Sequence, residues 1–246
     1  MRRPLLFIGI LFSLLLLDPP AFAISYSTSA FLDLTTLSFS GVTISPIGSE
    51  GLSQTLSTFL EGNTTGGSRP SWISETVNQH DSQIGEAGAI GDSNFMRTSA
   101  NLIGSSGSLS SFVSRDATFS IIGTGLLTVN IQYALAQSGL LDSAHVGGSF
   151  VSMDFVFLSN GVADQLQTQG SLLGTGSKSG TLSLTQWFSA GQEATLNLRT
   201  VSFAQSVPEP DMLWPTIAGV VGIGVLGRRR AQVSTLQSLR CTWHSD

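Results

Sequence analysis

Apolar and polar residues alternate along several segments of the chain, as they do in strands that bury only one face. In the longest such run, one face consists of Leu127, Val129, Ile131, Tyr133 and Leu135. The same pattern predicts strands at residues 117–121, 151–157, 182–184 and 196–198, and one strand or a pair at residues 31–44. Gly- and Ser-rich loops are predicted to separate these runs, at residues 104–108, 138–148 and 170–180. This spacing predicts an all-β ectodomain over residues 24–206, an antiparallel β-sandwich of jelly-roll-like type.

Parts of the chain do not follow this alternation. Residues 52–60 predict a short helix, and the polar segment 62–107 predicts an irregular insertion or loops, because its apolar residues follow no regular period. Within the strand at 151–157, Val151, Met153, Phe155 and Phe157 are expected to face in, whereas Ser152 and Asp154 are expected to face out.

The N-terminal residues have the three parts of a secretory signal peptide. Met1-Arg2-Arg3 is followed by an apolar run at residues 5–17, by two prolines, and by Ala21-Phe22-Ala23. Because small residues at Ala21 and Ala23 form an A-x-A cleavage site, residues 1–23 are predicted to be a signal peptide that is cut after Ala23. The alternative is an uncleaved anchor, but the apolar run is shorter than the ~20 residues that span a bilayer.

The C-terminal region combines a Pro-Glu-Pro motif, an apolar segment and a basic cluster. The motif residues are Pro208, Glu209 and Pro210, and the basic residues are Arg228, Arg229 and Arg230. The apolar segment 212–227 lies between them and predicts a short transmembrane helix, whose arginines hold the far end in the cytoplasm. The two prolines favour an extended peptide that a processing enzyme can reach. A plain C-terminal membrane anchor and a buried core helix are the alternatives, although a core helix does not explain three consecutive arginines.

This three-part arrangement over residues 207–230 resembles the sorting signal of PEP-CTERM proteins. The resemblance implies an exosortase, a membrane-embedded processing enzyme, as partner, and a protein that is membrane-anchored through 212–227 and then sorted to the cell surface or extracellular matrix. Members of this class are associated with exopolysaccharide and biofilm and are often glycosylated. Sequences of this class usually end soon after the basic cluster, whereas here residues 231–246 follow and are predicted to form a cytoplasmic tail.

Charge and cysteine content narrow the class of protein further. Only 11% of the residues are charged, the net charge is −5, and the ectodomain has no basic patch, which excludes a nucleic-acid-binding surface. The single cysteine, Cys241, excludes intramolecular disulfides.

The ectodomain contains few residues that predict catalysis. His80 and His145 are far apart in sequence, no zinc-binding spacing is present, and His80 with Asp81 fits a solvated turn. The loop at residues 174–179 lacks the glycines of a phosphate-binding loop and fits a β-turn. Asp154 could be one carboxylate of a glycosidase pair, but the sequence identifies no second carboxylate. We therefore expect no catalytic residue, no metal and no cofactor.

These observations favour a non-enzymatic structural or interaction protein of the cell surface or extracellular matrix. The alternative is a carbohydrate-binding module, for which Trp72 and Trp187 are the candidate sugar platforms; either tryptophan could instead belong to the core. A secreted hydrolase is the least favoured alternative.

Overall fold

The computed structural model describes residues 25–47, 51–104, 107–139, 145–159 and 162–206, except for the side chain of residue 159. The predicted signal peptide (1–23, with Ala21 and Ala23), the sorting signal (207–230) and the tail (231–246) lie outside these described residues. Within them the chain is all-β and forms two antiparallel sheets, which confirms the predicted β-sandwich. The same residues contain no helix that is long and apolar enough to cross a membrane.

The strands of the described residues are numbered in chain order. They are β1 (Tyr26–Gly41), β2 (Ile44–Pro46), β3 (Leu52–Leu60), β4 (Asn63–Arg69), β5 (Glu75–Asp81), β6 (Gly85–Gly91), β7 (Phe95–Leu102), β8 (Ser108–Ile121), β9 (Gly125–Ser138), β10 (His145–Ser159), β11 (Val162–Leu173), β12 (Gly176–Phe188) and β13 (Glu193–Ser206).

Two sheets pack face to face. The first has the strand order β12-β9-β1-β7-β6-β5, and the second has the order β11-β10-β13-β8-β3-β4, with β2 paired to β8. The chain crosses repeatedly from one sheet to the other, and β11 and β12 join the two sheets at one side through a tight turn. The first residues of β1 pair with the last residues of β7 and β9, and Ser206 of β13 bonds to Gly107, so the described fold begins and ends at one end of the sandwich.

The predicted strands lie where the alternation placed them. Residues 127–135 belong to β9, 151–157 to β10, 117–121 to β8, 182–184 to β12 and 196–198 to β13. Leu127, Val129, Ile131 and Leu135 are buried, and Tyr133 is half-buried. The segment 31–44 forms most of β1 and the first residue of β2.

Three predictions of secondary structure were wrong in whole or in part. The predicted loops at 138–148 and 170–180 are strand at most of their described residues, because β10 begins at His145 and only residues 174–175 lie between β11 and β12. Residues 52–60 form strand β3 and not a helix, because its buried residues are the alternating Gln54, Leu56, Thr58 and Leu60. Residues 62–107 are not an irregular insertion, since they contain β4, β5, β6 and β7. The inward positions of β6 and β7 are occupied largely by small side chains, so the apolar alternation that marks a strand is weak in this part of the sequence: Ala87, Ala89, Thr98 and Ala100.

A layer of hydroxyl groups divides the interior of the sandwich. A large apolar cluster contains Leu32, Met96 and Leu198, and a smaller one contains Leu102 and Ala204. Between the two clusters, buried hydroxyl residues occupy inward positions of five strands: Thr28, Thr58, Thr98, Ser111, Thr200 and Ser202. The Oγ1 atom of Thr98 and the Oγ atom of Ser202 are 2.9 Å apart, which links the sheets by a hydrogen bond through the core.

Candidate functional site

Trp187 lies on the outer surface of the first sheet, near the end of edge strand β12. Its neighbours in sequence, Gln186 and Phe188, face the other side, and Phe188 is fully buried. Trp187 itself is 59% exposed, and Leu126, directly opposite on β9, is 53% exposed. Together they form an exposed apolar pair near one end of these two strands, whereas Phe31 of β1 and Phe95 of β7, on the same side of the sheet, stack on each other and are half-buried. The Trp187 side chain is therefore accessible to a ligand, as a sugar platform requires.

The other outward side chains of β9 and β12 are small or amide-bearing. Six outward positions lie on β12 (177, 179, 181, 183, 185 and 187) and six on β9 (126, 128, 130, 132, 134 and 136), and none of them carries a charged residue. We call these positions the uncharged face. Thr128 and Thr185 pair across it, with their Oγ1 atoms 2.9 Å apart. Because hydroxyls both donate and accept, this face can bind a partner rich in hydroxyl groups.

Trp72, the second candidate platform, is instead engaged with the interior. It lies between β4 and β5, is half-buried, and packs against the large apolar cluster. Its Nε1 atom donates a hydrogen bond of 2.9 Å to the backbone oxygen of Asp116, and its ring lies over the Arg115 guanidinium, with Cζ 5.3 Å from the centroid. These contacts give Trp72 a structural role in this arrangement, so the two tryptophans do not form one surface.

Arg115 is a buried cation that the sequence reasoning did not identify. Its Nε donates to Oε1 of Gln54 at 2.6 Å, and its two terminal nitrogens donate to the backbone oxygens of Asp92 and Ile73. Burial lowers the pKa of Arg115 to about 10, an effect that the charge of Asp92 partly opposes. The pKa of the Asp92 carboxyl is lowered, chiefly because the backbone N–H of Asn94 donates to it. These bonds tie the loops before β5 and after β6 to strands β3 and β8.

The inward orientation of Arg115 follows from its position in the strand. Its position is two residues before Ala117 and four before Phe119, which the alternation assigned to the core face of the strand. Arg115 therefore had to face inward, and a buried arginine requires hydrogen-bond acceptors around it.

Two carboxylates lie on the outward side of the second sheet, on either side of Asn197. Asp154 on β10 and Asp116 on β8 are both paired in register with Asn197 on β13. Asn197 donates to Oδ1 of Asp154 at 2.6 Å, and Ser53 donates to Oδ2 of Asp116 at 2.7 Å. The two strands are separated by two strand spacings, about 9.5 Å.

Asp154 is on the outward side of its strand, as predicted, but other side chains cover it. The residue is fully buried, and its Oδ2 atom has no hydrogen-bond partner in the described structure. Long side chains occupy neighbouring positions, among them Gln167 on β11, which is paired in register with Asp154. Since a glycosidase needs both carboxyl groups at the substrate, this buried carboxylate is not accessible for that role as it stands.

A shallow cleft lies next to this row, at the end of the second sheet. Its volume is about 460 Å³, and Val156, Leu158 and Ala163 supply apolar lining while Glu193 supplies a carboxylate. Leu158 is 62% exposed, and its backbone oxygen accepts a hydrogen bond from Gln192. The volume is within the range of small-molecule sites.

The remaining candidate groups stay apart. His80 is exposed on β5, whereas His145 is buried at the start of β10 in the other sheet. Asp81 accepts hydrogen bonds from the backbone N–H groups of Gln83 and Ile84, so it stabilises the turn after β5. The segment 174–179 is a turn followed by the start of β12. Among the residues that the structure describes, no three His, Cys, Asp or Glu side chains are grouped to hold a metal ion.

Comparisons with known proteins do not assign the chain to a family. No family model matches the chain, and no curated protein matches it. Among solved structures, the chain is similar to the enzymatically active domain of tailspike protein 4 from bacteriophage CBA120, at 9% sequence identity and a TM-score of 0.17. That similarity covers 63% of this chain but only 19% of the tailspike chain, and at this TM-score it supports no argument about fold or function.

Proposed function

We propose that this chain is an exported protein of the cell surface or extracellular matrix, with a structural or interaction role associated with exopolysaccharide in a biofilm. The protein acts through contact with its surroundings and has no catalytic role. The proposal takes the region 1–23 as a signal peptide and 207–230 as a sorting signal of PEP-CTERM type.

The observation that supports this role best is the uncharged face. Exposed surfaces of soluble proteins are usually rich in charged residues, whereas the outward positions of β9 and β12 have none. Exposed hydroxyl and amide groups form hydrogen bonds with polysaccharide hydroxyls without the cost of removing a charge from water. Such a surface suits a protein embedded in a hydrated polymer.

In the proposed route, the signal peptide directs export and the segment 212–227 holds the chain in the membrane. An exosortase then acts at Pro208-Glu209-Pro210, and residues 231–246 remain in the cytoplasm. The mature protein passes to the cell surface or the matrix.

Intact mass and cell fractionation test this route in a host that has an exosortase. We expect a species outside the cell that begins near Ile24 and ends near Pro208-Glu209-Pro210. A variant with Pro208, Glu209 and Pro210 all changed to alanine is the control, and it should stay in the membrane. A wild-type species that keeps residues up to Asp246 and stays in the membrane would contradict exosortase processing and favour the plain anchor.

Two finer assignments belong to the same proposal. We assign the sandwich to the jelly-roll-like class, supported by its repeated crossings between sheets from β7 to β10 and from β11 to β13. A carbohydrate-binding module is the second candidate function, and the exposure of Trp187 favours it.

A further inference from the structure

The exposed pair of Trp187 and Leu126 lies at one end of the uncharged face, beside the hydroxyl pair of Thr128 and Thr185. We propose that this surface binds a neutral polysaccharide, with one sugar ring stacked on the Trp187 indole and the chain running along β12 and β9. The inference rests on the proposed function, because it names the partner that a matrix protein of this kind would contact.

The apolar pair accounts for the stacking part of the interaction. A sugar ring has a face of C–H groups, and an indole ring offers a large flat surface with little conformational freedom to lose. Trp187 is held in place because Phe188, the next residue, is fully buried and makes edge contacts with Phe155 and Phe157. Leu126 extends the apolar surface onto the neighbouring strand.

The rows of polar side chains account for the hydrogen bonds. After the Thr128–Thr185 pair, the next rows along the strands join Asn130 with Ser183 and Gln132 with Thr181. Successive rows are separated by two residues, about 6.6 Å, and the outward positions from 177 to 187 span about 33 Å. An extended polymer can therefore contact several rows at once, and each row presents both donors and acceptors.

The absence of charged residues from the uncharged face favours a neutral polymer over an anionic one. No outward position of β9 or β12 provides a cation for a carboxylate, sulfate or phosphate group. Lys178, the lysine of β12, is on the opposite side of that strand and donates to the backbone oxygen of Ser171 on β11. The net charge of −5 also repels an anionic polymer.

A protein partner fits this surface less well. Stable protein interfaces bury about 800 Å² on each side around an apolar centre. On the uncharged face the only large apolar side chains are those of Trp187 and Leu126, and rows of small side chains, most of them polar, continue from them along β9 and β12. A long face of this kind, with its one aromatic group at the end, suits a linear glycan better than a folded protein.

Affinity electrophoresis of the purified full chain through gels that contain a soluble polysaccharide tests this inference. The neutral probes are a β-glucan, a dextran and a galactan, and the anionic probe is polygalacturonate. We expect retardation by at least one neutral probe, and we expect Trp187→Ala to weaken it about tenfold while Trp187→Phe weakens it less. Leu173→Ala is the matched control, because Leu173 is also an exposed apolar residue, at 67%, on another strand.

Four results would overturn the inference: no retardation of the wild type by any neutral probe, equal retardation of wild type and Trp187→Ala, tighter binding of polygalacturonate, or self-association of the wild type that Trp187→Ala abolishes. Fractionation of cells that express Trp187→Ala separates this inference from the proposed function. If the variant is exported normally but does not differ in glycan binding, only the inference fails. If the wild type itself is not exported, the proposed function fails, and glycan binding by the purified chain still decides the inference.

Discussion

Tyr26 makes the stability of the sandwich sensitive to alkaline pH. The side chain is fully buried in the smaller apolar cluster, and its hydroxyl has no hydrogen-bond partner within the described part of the chain. Its ring packs closely against β10, since a Cβ atom placed on Gly147 would lie 2.1 Å from Cε1 of Tyr26. Burial disfavours the phenolate and raises the pKa of Tyr26 to about 12, from an ordinary value of 10.0.

The sign and the size of the effect follow from this shift. The unfolded chain loses the phenol proton near pH 10, whereas the folded chain keeps it up to about pH 12. Folding stability is therefore unaffected below pH 10 and falls as the pH rises from there to about 12. A difference of about two pKa units corresponds to a loss of about 2 to 3 kcal/mol.

Urea unfolding of wild type and Tyr26→Phe, followed at intervals from pH 8 to pH 12.5, measures this loss. At neutral pH we expect the variant to be as stable as the wild type or up to about 1 kcal/mol more stable, because it lacks a buried, unpaired hydroxyl. Above pH 10 its stability should fall less steeply than that of the wild type. Tyr133→Phe is the matched control, since it removes the hydroxyl of the other tyrosine and leaves Tyr26 in place.

Parallel curves for wild type and Tyr26→Phe between pH 10 and pH 12 would refute this reasoning. They would mean that the Tyr26 phenolate is tolerated in the fold, because water or a polar group reaches its oxygen.

Three further predictions concern packing and buried charge. Gly170→Ala should lower stability by about 1 to 3 kcal/mol in thermal unfolding, because a Cβ atom there would lie 2.8 Å from ring atoms of Tyr133. An unchanged melting temperature would show that the ring can move. Arg115→Ala should cost about 3 to 5 kcal/mol in urea unfolding, since it removes a buried cation that makes three hydrogen bonds. Arg115→Met should cost less because it keeps an unbranched apolar stem, and equal losses would show that packing of the stem contributes nothing. Asp154→Asn should raise stability by about 1 kcal/mol in urea unfolding, because a neutral amide replaces a buried carboxylate whose second oxygen has no partner. A clear loss of stability would show that the carboxylate is needed there.

The parts of the fold that could be predicted from sequence are those whose inward positions hold large apolar residues. Strand β9 is predictable because its large apolar side chains, such as Leu127, Val129 and Ile131, alternate with polar ones. In β6 and β7 the same inward positions hold residues such as Ala87, Ala89 and Thr98, so the alternation is hardly visible. Strands β6 and β7 are stabilised by pairing with neighbouring strands and by packing against the facing sheet. A local sequence pattern contains no information about these contacts.

The exposure of Trp187 could be predicted from the sequence, whereas the contacts of Trp72 could not. The alternation that buries Leu182 and Leu184 also assigns Trp187 to the outer face, so its exposure follows from parity. No such parity was available for Trp72, since it lies outside any strand, and its contact with Arg115 joins residues that are 43 positions apart. Contacts of this range depend on the pairing of β3 with β8, which the sequence alone does not specify.

The two faces of each strand are constrained by different requirements. Inward side chains must fill the space between the sheets, so their identity is limited by volume and polarity, and the alternation that reveals the fold comes from them. Outward side chains of a soluble protein need only be compatible with water, and Ser, Thr, Asn or Gln at positions 128–132 and 181–185 satisfy that equally well with or without a ligand. A large aromatic or aliphatic side chain is stabilised when it is removed from water, and it gains nothing from staying exposed. Contact with water therefore does not explain such a residue at an outward position. Trp187 and Leu126 are thus the outward residues of this face whose exposure hydration does not explain, and Trp187, the aromatic one, is the first position at which to test binding.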